Sequence, residues 1–388
     1  MRQMKLPSTT KFYHAVIVGA GPVGLLLAHC LRAFGLSFLM LERRKDRRSN
    51  GRVVVLHPAL MELLERLDLQ APLLAAGTKV ALGRAFRGDR RLGEVSFAGP
   101  GFQAGYRLSL PQFDLERILE AALLRACPDC LFRETGIETF QNGIAAVKVR
   151  ARFGVTIQEL NAGFLVGTDG PRSAVRAGAG LALSTLAAPD AFAQGDFDDV
   201  GGFADEHRIF VDDLGLIETL PLPGSHRRWM VQTPGLVKNP DESSFLAAIQ
   251  ARTGLDLTRR RAGLLTGVEV PRYLADSFHK GRAALAGDAA HSVTPLGGRG
   301  LNQAFLDARD LAGAIHHVSQ AKAAPEIELG EYTRRARARA EAADQWAANA
   351  LAGLRAGGRP WLGRFGLKMV RGLHVPNPAP EYFASVEA

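Results

Sequence analysis

Cysteine is nearly absent: Cys30, Cys127 and Cys130 are the three in 388 residues. So low and odd a count excludes a disulfide-built scaffold and fits a reducing compartment. Two of them lie in the stretch CPDC, Cys127 to Cys130, which has the spacing of a redox dithiol. A redox pair opens a helix after a strand. This one closes the helical run LERILEAALLRA and precedes the strand-like LFRETGIETF, so a loop with two plain thiols is expected. Long apolar runs are missing too; none reaches the roughly 18 residues that a membrane span needs. The opening stretch MRQMKLPSTTKFYHA has no apolar core of a secretory signal. An intracellular, cytoplasmic protein is expected. Acidic residues number 39 against 48 Lys and Arg, for a net charge of +9. The basic groups at Arg43–Arg48, Arg259–Arg261 and Arg334–Arg339 are not interleaved with aromatics, so no nucleic-acid partner is expected. No metal site is expected. Hydrophobic residues at 47% and charged residues at 22% argue against disorder. The length allows two or three domains around a large core.

What the chain does have is glycine in particular places. Ala15–Val18 reads as a short apolar strand, and GAGPVG follows it. That puts Gly19, Gly21 and Gly24 in G-x-G-x-x-G spacing. LLLAHCLRAFG reads as a helix ending at Gly35, SFLML as a second strand, and Glu42 comes directly after. Gly19 permits the tight turn, Gly21 lets the backbone approach a pyrophosphate, and Gly24 lets the helix pack on the strand. The helix start offers free N–H groups and a positive dipole end to phosphate. Glu42 is placed to accept hydrogen bonds from a ribose diol. This is a dinucleotide site, and by itself it leaves FAD and NAD both open.

Two later segments bear on that choice. GFLVGTDGPRSAVR, residues 163–176, runs a strand into Asp169-Gly170 and then Arg172, Ser173 and Arg176. Its plain reading is a strand followed by a helix cap, since Asp and Ser are natural caps. GRAALAGDAAHSVTPLGGRGLNQAFLDARDLAGAI, residues 281–315, ends a strand at Gly287-Asp288. A loop with Pro295, Gly297, Gly298 and Gly300 then leads into a helix starting near Leu301-Asn302. Glycines this dense let the backbone approach a flat ring, and a helix start beside them suits the negative edge of a reduced flavin. Asp288 is placed to bind ribityl hydroxyls.

The three segments in this order resemble the class A flavoprotein monooxygenases, the para-hydroxybenzoate hydroxylase-like family. The likeness spans roughly residues 14–315; the triple is specific, though no single element is. It implies an α/β fold with a Rossmann-type, glutathione reductase-like FAD-binding domain, an inserted antiparallel β-sheet substrate domain and a helical C-terminus. The implied boundaries are 1–77, 103–185 and 276–325 for the FAD-binding part, 78–102 and 186–275 for the substrate sheet, and 326–388 for the C-terminal helical segment. NGRVVVLHPALMELLERLDL looks like the family stretch that contributes an FAD-contacting arginine, here Arg52. LSLPQFDLERIL looks like the helix whose first turn contributes a polar FAD contact, here Gln112. The resemblance further implies Asp288 on the ribityl chain and Pro295 at the reactive edge of the ring. Gly298, Gly300, Leu301 and Asn302 are implied on the pyrimidine side. Arg43 follows Glu42 as it often does in the family, though a solvated arginine fits as well.

The implied cofactor is non-covalent FAD, with NADH or NADPH as a transient co-substrate that needs no second Rossmann fold. In the implied reaction oxygen adds to the reduced flavin, and the flavin hydroperoxide hydroxylates or epoxidises a small molecule, so the partners are substrate and oxygen. His291, in GDAAH, invites an acid/base role; an orienting role is the preferred expectation. In the middle stretch HRIFVDD, GLIETLPLP and RRWMVQT read as strands. On the family alignment they put Leu220, Leu222 and Met230 on the substrate pocket, where hydroxylases of small aromatic acids place a serine and an arginine. A largely apolar, aromatic substrate without a carboxylate clamp is expected. Alternating apolar strands in any core look the same. The basic tail LAGLRAGGRPWLGRFGLKMVRGL can lie on anionic lipid as a peripheral membrane contact, but Gly357-Gly358 and Pro360 favour a packed segment. A reductase or halogenase on the same fold is the competing enzyme. The halogenase motif WxWxIP is missing, since the tryptophans are Trp229, Trp346 and Trp361. A flavin-binding regulatory module without turnover is the competing non-enzyme.

Overall fold

The computed structural model describes residues 6–47, 51–98, 104–199, 205–258, 262–321 and 323–356. The tail with Trp361 and its arginines, and Arg259–Arg261, lie outside the described residues.

The strand Phe12–Val18 stands in the middle of the first sheet. Ala15–Val18 are buried, as a parallel strand covered on both faces requires. Phe38–Glu42 pairs with it in parallel on one side and Thr156–Gly167 on the other. Ala283–Leu285 extends the sheet beyond Thr156–Gly167, and Leu131–Arg133 extends it beyond Phe38–Glu42. The helix Pro22–Ala33 packs against this sheet, and the helices Gln112–Ala126 and Arg299–Ser319 pack against it in turn. Its buried run Gly24–Leu31 is apolar apart from His29, whose Nε2 lies 2.9 Å from the Leu119 carbonyl.

The second sheet has eight strands in the order His291–Ser292, Ala262–Ala275, Leu183–Asp198, His226–Thr233, Gly215–Leu222, Glu206–Asp212, Leu82–Arg87, Arg90–Ser96. It is antiparallel except where Glu206–Asp212 meets Leu82–Arg87. Alternation sorts its residues. Ile217, Trp229 and Val231 face the helix Glu242–Thr253, whose Phe245 and Ile249 share their core. Leu216, Ile209, Phe192 and Met230 face the other way, toward Leu296. Thr78–Val80, expected with this sheet, instead joins Val53–Leu56 and Arg107–Pro111 in a small third sheet. Three residues are too few to show which partner they take.

The CPDC stretch is the loop expected of it. The Cys127 N–H closes the helix Gln112–Ala126 on the Leu123 carbonyl at 2.8 Å, and burial pushes the Cys130 thiol up. The last helix, Pro325–Ala356, buries Leu329, Tyr332, Ala336, Ala340, Ala343 and Ala347 at helical spacing. The Tyr332 hydroxyl donates to the Leu285 carbonyl at 2.6 Å. Arg272 grips Asp344 with two bonds of 2.9 and 2.7 Å, which ties this helix to the second sheet. No helix among the described residues is long and apolar enough to cross a membrane.

Candidate active site

One cavity of about 690 Å³ runs from the glycine loop to the second sheet. Its size falls within the range of small-molecule and cofactor sites. Gly19, Gly21, Glu42, Arg43, Arg52, Gln112, Asp169, Asp288, His291, Pro295, Gly298, Gly300, Leu301, Leu220 and Met230 all line it. Residues scattered over more than 280 positions of sequence thus share one wall.

The glycine loop is built as its spacing demands. Gly19 has φ +105°, and a Cβ there would stand 2.5 Å from the Thr168 carbonyl oxygen. A Cβ on Gly24 would stand 2.1 Å from the Gly19 carbonyl oxygen. Gly24 therefore packs helix on strand and lies outside the cavity wall. At Gly21 a Cβ would meet nothing within 4 Å, so the space in front of the helix start is open. That start carries no side-chain cap and no acidic residue in its first turn. Its amides remain for an anion. The Glu42 carboxylate accepts the Ala20 N–H and the Arg44 N–H, each at 2.9 Å. It fixes the loop and keeps lone pairs for a ribose.

On the opposite wall Asp288 sits in a short turn, with its carbonyl held by the Tyr273 hydroxyl at 2.6 Å. Arg52 Nη1 lies 3.9 Å from the Asp288 carboxylate, and both side chains are about half exposed (51% and 49%). The Gln112 amide donates to Glu116 at 2.7 Å, which orients it at the wall. Burial raises the Glu116 carboxyl, with the Gln112 bond opposing. Asp169 performs the cap that its plain reading gave it: Oδ2 accepts the Ala174 N–H at 2.7 Å. Its other oxygen is buried without a partner among the described residues. Arg176 then ties this segment to the Asp288 turn, donating to the Ala289 carbonyl at 2.8 Å.

Two of the expected side chains, Asn302 and Leu222, do not line the cavity. Asn302 does not face the cavity. Its Oδ1 accepts the His57 N–H at 2.8 Å, and its Nδ2 donates to the carbonyls of Val55 and Gly298, each at 2.7 Å. Backbone groups consume the whole amide, so the side chain staples the glycine loop to the strand Val53–Leu56. Leu222 is buried but lies outside the cavity wall. It shares the face of Leu220 but sits opposite His226, beside the hairpin turn. His291 reaches the wall, but its ring is committed elsewhere. Nε2 lies 2.6 Å from Asp307, and the ring stacks on Phe278 at 5.6 Å. That is the orienting role, not an acid/base one. Burial acts to raise the Asp307 carboxyl, but His291 and Arg339 hold it net below its ordinary value.

Sequence reasoning missed Gln194, Glu218, Arg228 and Tyr273 on the wall. The available signal was a charged residue in the otherwise apolar alternation GLIETLPL. Arg228 is not a free clamp. Asp196 takes it through both Nε and Nη2, the latter at 2.8 Å, and Nη1 donates to the Gly51 carbonyl at 2.5 Å. Among the described residues no group of three or more His, Cys, Asp or Glu is placed to hold a metal ion.

The family described as an FAD binding domain matches residues 13–347. A rifampicin monooxygenase of Rhodococcus hoagii is 30% identical over 322 residues, covering 76% of this chain and 62% of that protein. An aromatic compound monooxygenase of Bacillus subtilis is 28% identical over 308 residues, 77% of this chain and 60% of that protein. The chain thus spans about three fifths of the length of these curated relatives. Among solved structures, p-nitrophenol 4-monooxygenase of Pseudomonas putida superposes with a TM-score of 0.77 at 22% identity, covering 94% of this chain and 99% of that one. This chain belongs to the FAD-binding domain family, on the fold of the flavin-dependent monooxygenases.

Proposed function

We propose that the chain is an FAD-dependent, NAD(P)H-consuming monooxygenase that hydroxylates or epoxidises a largely apolar, aromatic small molecule. The observation that carries this is the continuity of the cavity. One wall joins the open amides of the glycine loop, the Asp288 turn and the face of the second sheet that carries Leu220 and Met230. The residues fit FAD: Gly19 and Gly21 with the helix start for pyrophosphate, Glu42 for ribose, Asp288 and Arg52 for the ribityl chain. Gly298 at φ +68° and Gly300 clear the backbone for the ring. Bound FAD supplies the redox and oxygen chemistry. The protein orients the substrate with Leu220 and Met230, keeps water out with Pro295 and Leu296, and holds the loop through Asn302 and His57. The FAD-binding part comprises 1–77, 103–185 and 276–325. The substrate sheet comprises Leu82–Arg87 and Arg90–Ser96 with 186–275, and the helix Pro325–Ala356 follows as the C-terminal part. The partners are substrate and oxygen, in the cytoplasm.

Aerobic assay with NADH and NADPH tests the reading. Oxygen uptake is expected to rise with an aromatic substrate, and the product to gain one oxygen atom. Reduction of substrate without oxygen would instead favour a reductase. Asp288→Ala is expected to weaken FAD retention about tenfold, a loss of about 1.4 kcal/mol, without unfolding the chain. Unchanged flavin content would remove Asp288 from the site.

A further inference from the structure

The second-sheet wall of the cavity mixes apolar residues (Leu220, Met230, Val268, Val270) with polar ones (Gln194, Glu218, Arg228, Tyr273). There Glu218 is 3% exposed yet lines the cavity. His207 Nε2 lies 2.7 Å from its Oε1, close but not aligned as a hydrogen bond. No described residue bonds Oε2.

Two buried cations stand near it, Arg107 within electrostatic reach of Glu218 and Arg299 within reach of Arg107. Arg107 is 1% exposed and Arg299 is 7% exposed. Burial lowers Arg107 to about 9, with Glu218 opposing and Arg299 reinforcing, and burial lowers Arg299 to about 10. Both stay charged at neutral pH. Their guanidinium groups stack on rings, Arg107 at 4.3 Å from Phe97 and Arg299 at 4.5 Å from Trp346. Nε and Nη2 of Arg107, and Nε and Nη1 of Arg299, have no hydrogen-bond partner among the described residues. A carboxylate only accepts hydrogen bonds. An oxygen that lines the cavity and is bonded by no described residue is open to a donor on a bound molecule. The other charged group of this sheet face, Arg228, is already taken by Asp196, so the wall offers acceptance rather than an acid clamp.

We propose that Glu218 is a specificity-determining residue of the pocket: it accepts a hydrogen bond from the hydroxyl of a phenol-class substrate and so sets which edge of the ring turns away from the flavin loop. His207 positions the carboxylate. This rests on reading the cavity as a substrate pocket.

The test is binding to the FAD-loaded full chain at neutral pH, read from the perturbation of the flavin absorption spectrum. The probes are 2-naphthol and its methyl ether, in which a methyl group replaces the hydroxyl hydrogen and removes the donor. The naphthol is expected to bind at least about tenfold tighter, the span of a bond to a charged acceptor. Glu218→Gln is expected to bring the two probes within about threefold while flavin content stays unchanged. Glu218→Asp, which keeps the charge but withdraws the oxygen by one methylene, is expected to lose part of the ratio and covers a Gln variant that does not fold. An unchanged ratio in the variants, an ether that binds as well as the naphthol, or binding of neither probe would overturn the proposal. No turnover is needed. Oxygenation can therefore fail while the ratio stands, which sinks only the monooxygenase reading.

Discussion

At the scale of the residue, the decisive contacts are between side chains and backbone. Asn302 spends its amide on three backbone partners across 247 positions of sequence. Asn302→Leu strands a buried N–H and two carbonyls, at a cost of about 3 kcal/mol. Urea unfolding is expected to show that loss, and FAD affinity to fall with it because the glycine loop is unpinned. An unchanged midpoint would dismiss the staple. Asp307 bears on acid stability. Its folded carboxyl titrates below the ordinary value, so its contribution is present above the unfolded value of about 4. It is lost as pH falls through the lower folded value. Asp307→Asn is expected to cost about 3 kcal/mol at neutral pH and to flatten the acid limb of the stability profile below about pH 4. A parallel acid limb would place the titration elsewhere. These residues also show how far sequence reading reaches. Gly19 was legible because φ +105° excludes other residues. Asn302 was not, since a polar side chain at a helix start looks the same turned to a ligand or to backbone. Glu218 was passed over because a lone charge in an apolar strand reads as a solvated edge.

At the scale of the element, periodicity carried most of the information. The strand Phe12–Val18 and the helix Pro22–Ala33 were legible because an unbroken apolar run and a glycine start leave few alternatives. Thr78–Val80 was not, since partner choice in three residues depends on distant chain. The helix Pro325–Ala356 lays a stripe of alanines on Arg299–Ser319. Small side chains set that approach. Ala340 is fully buried, so Ala340→Leu is expected to overpack the contact and cost about 1–3 kcal/mol. The thermal midpoint checks it, and a midpoint equal to the parent's would show that the helices can part without cost.

At the scale of the whole molecule, the two large sheets are not independent. His291–Ser292 follows the Asp288 turn and pairs with Tyr273 and Leu274 of the second sheet. The Ala275 N–H meets the Ala290 carbonyl at 2.7 Å. Thermal unfolding is therefore expected to be a single transition. FAD at 100 times its Kd adds about 2.7 kcal/mol to that one transition. Two transitions, of which FAD moves only one, would show that the sheets unfold apart.

The alternation of the second sheet has a consequence for descent. Ile217, Trp229 and Val231 lock the strands to their helix, while Glu218, Leu220, Arg228 and Met230 meet the cavity from the opposite face. The positions that hold the architecture and those that meet the guest are thus different residues on the same strands. New chemistry at the guest's end is reachable by exchanging every second residue, with the scaffold beneath left intact.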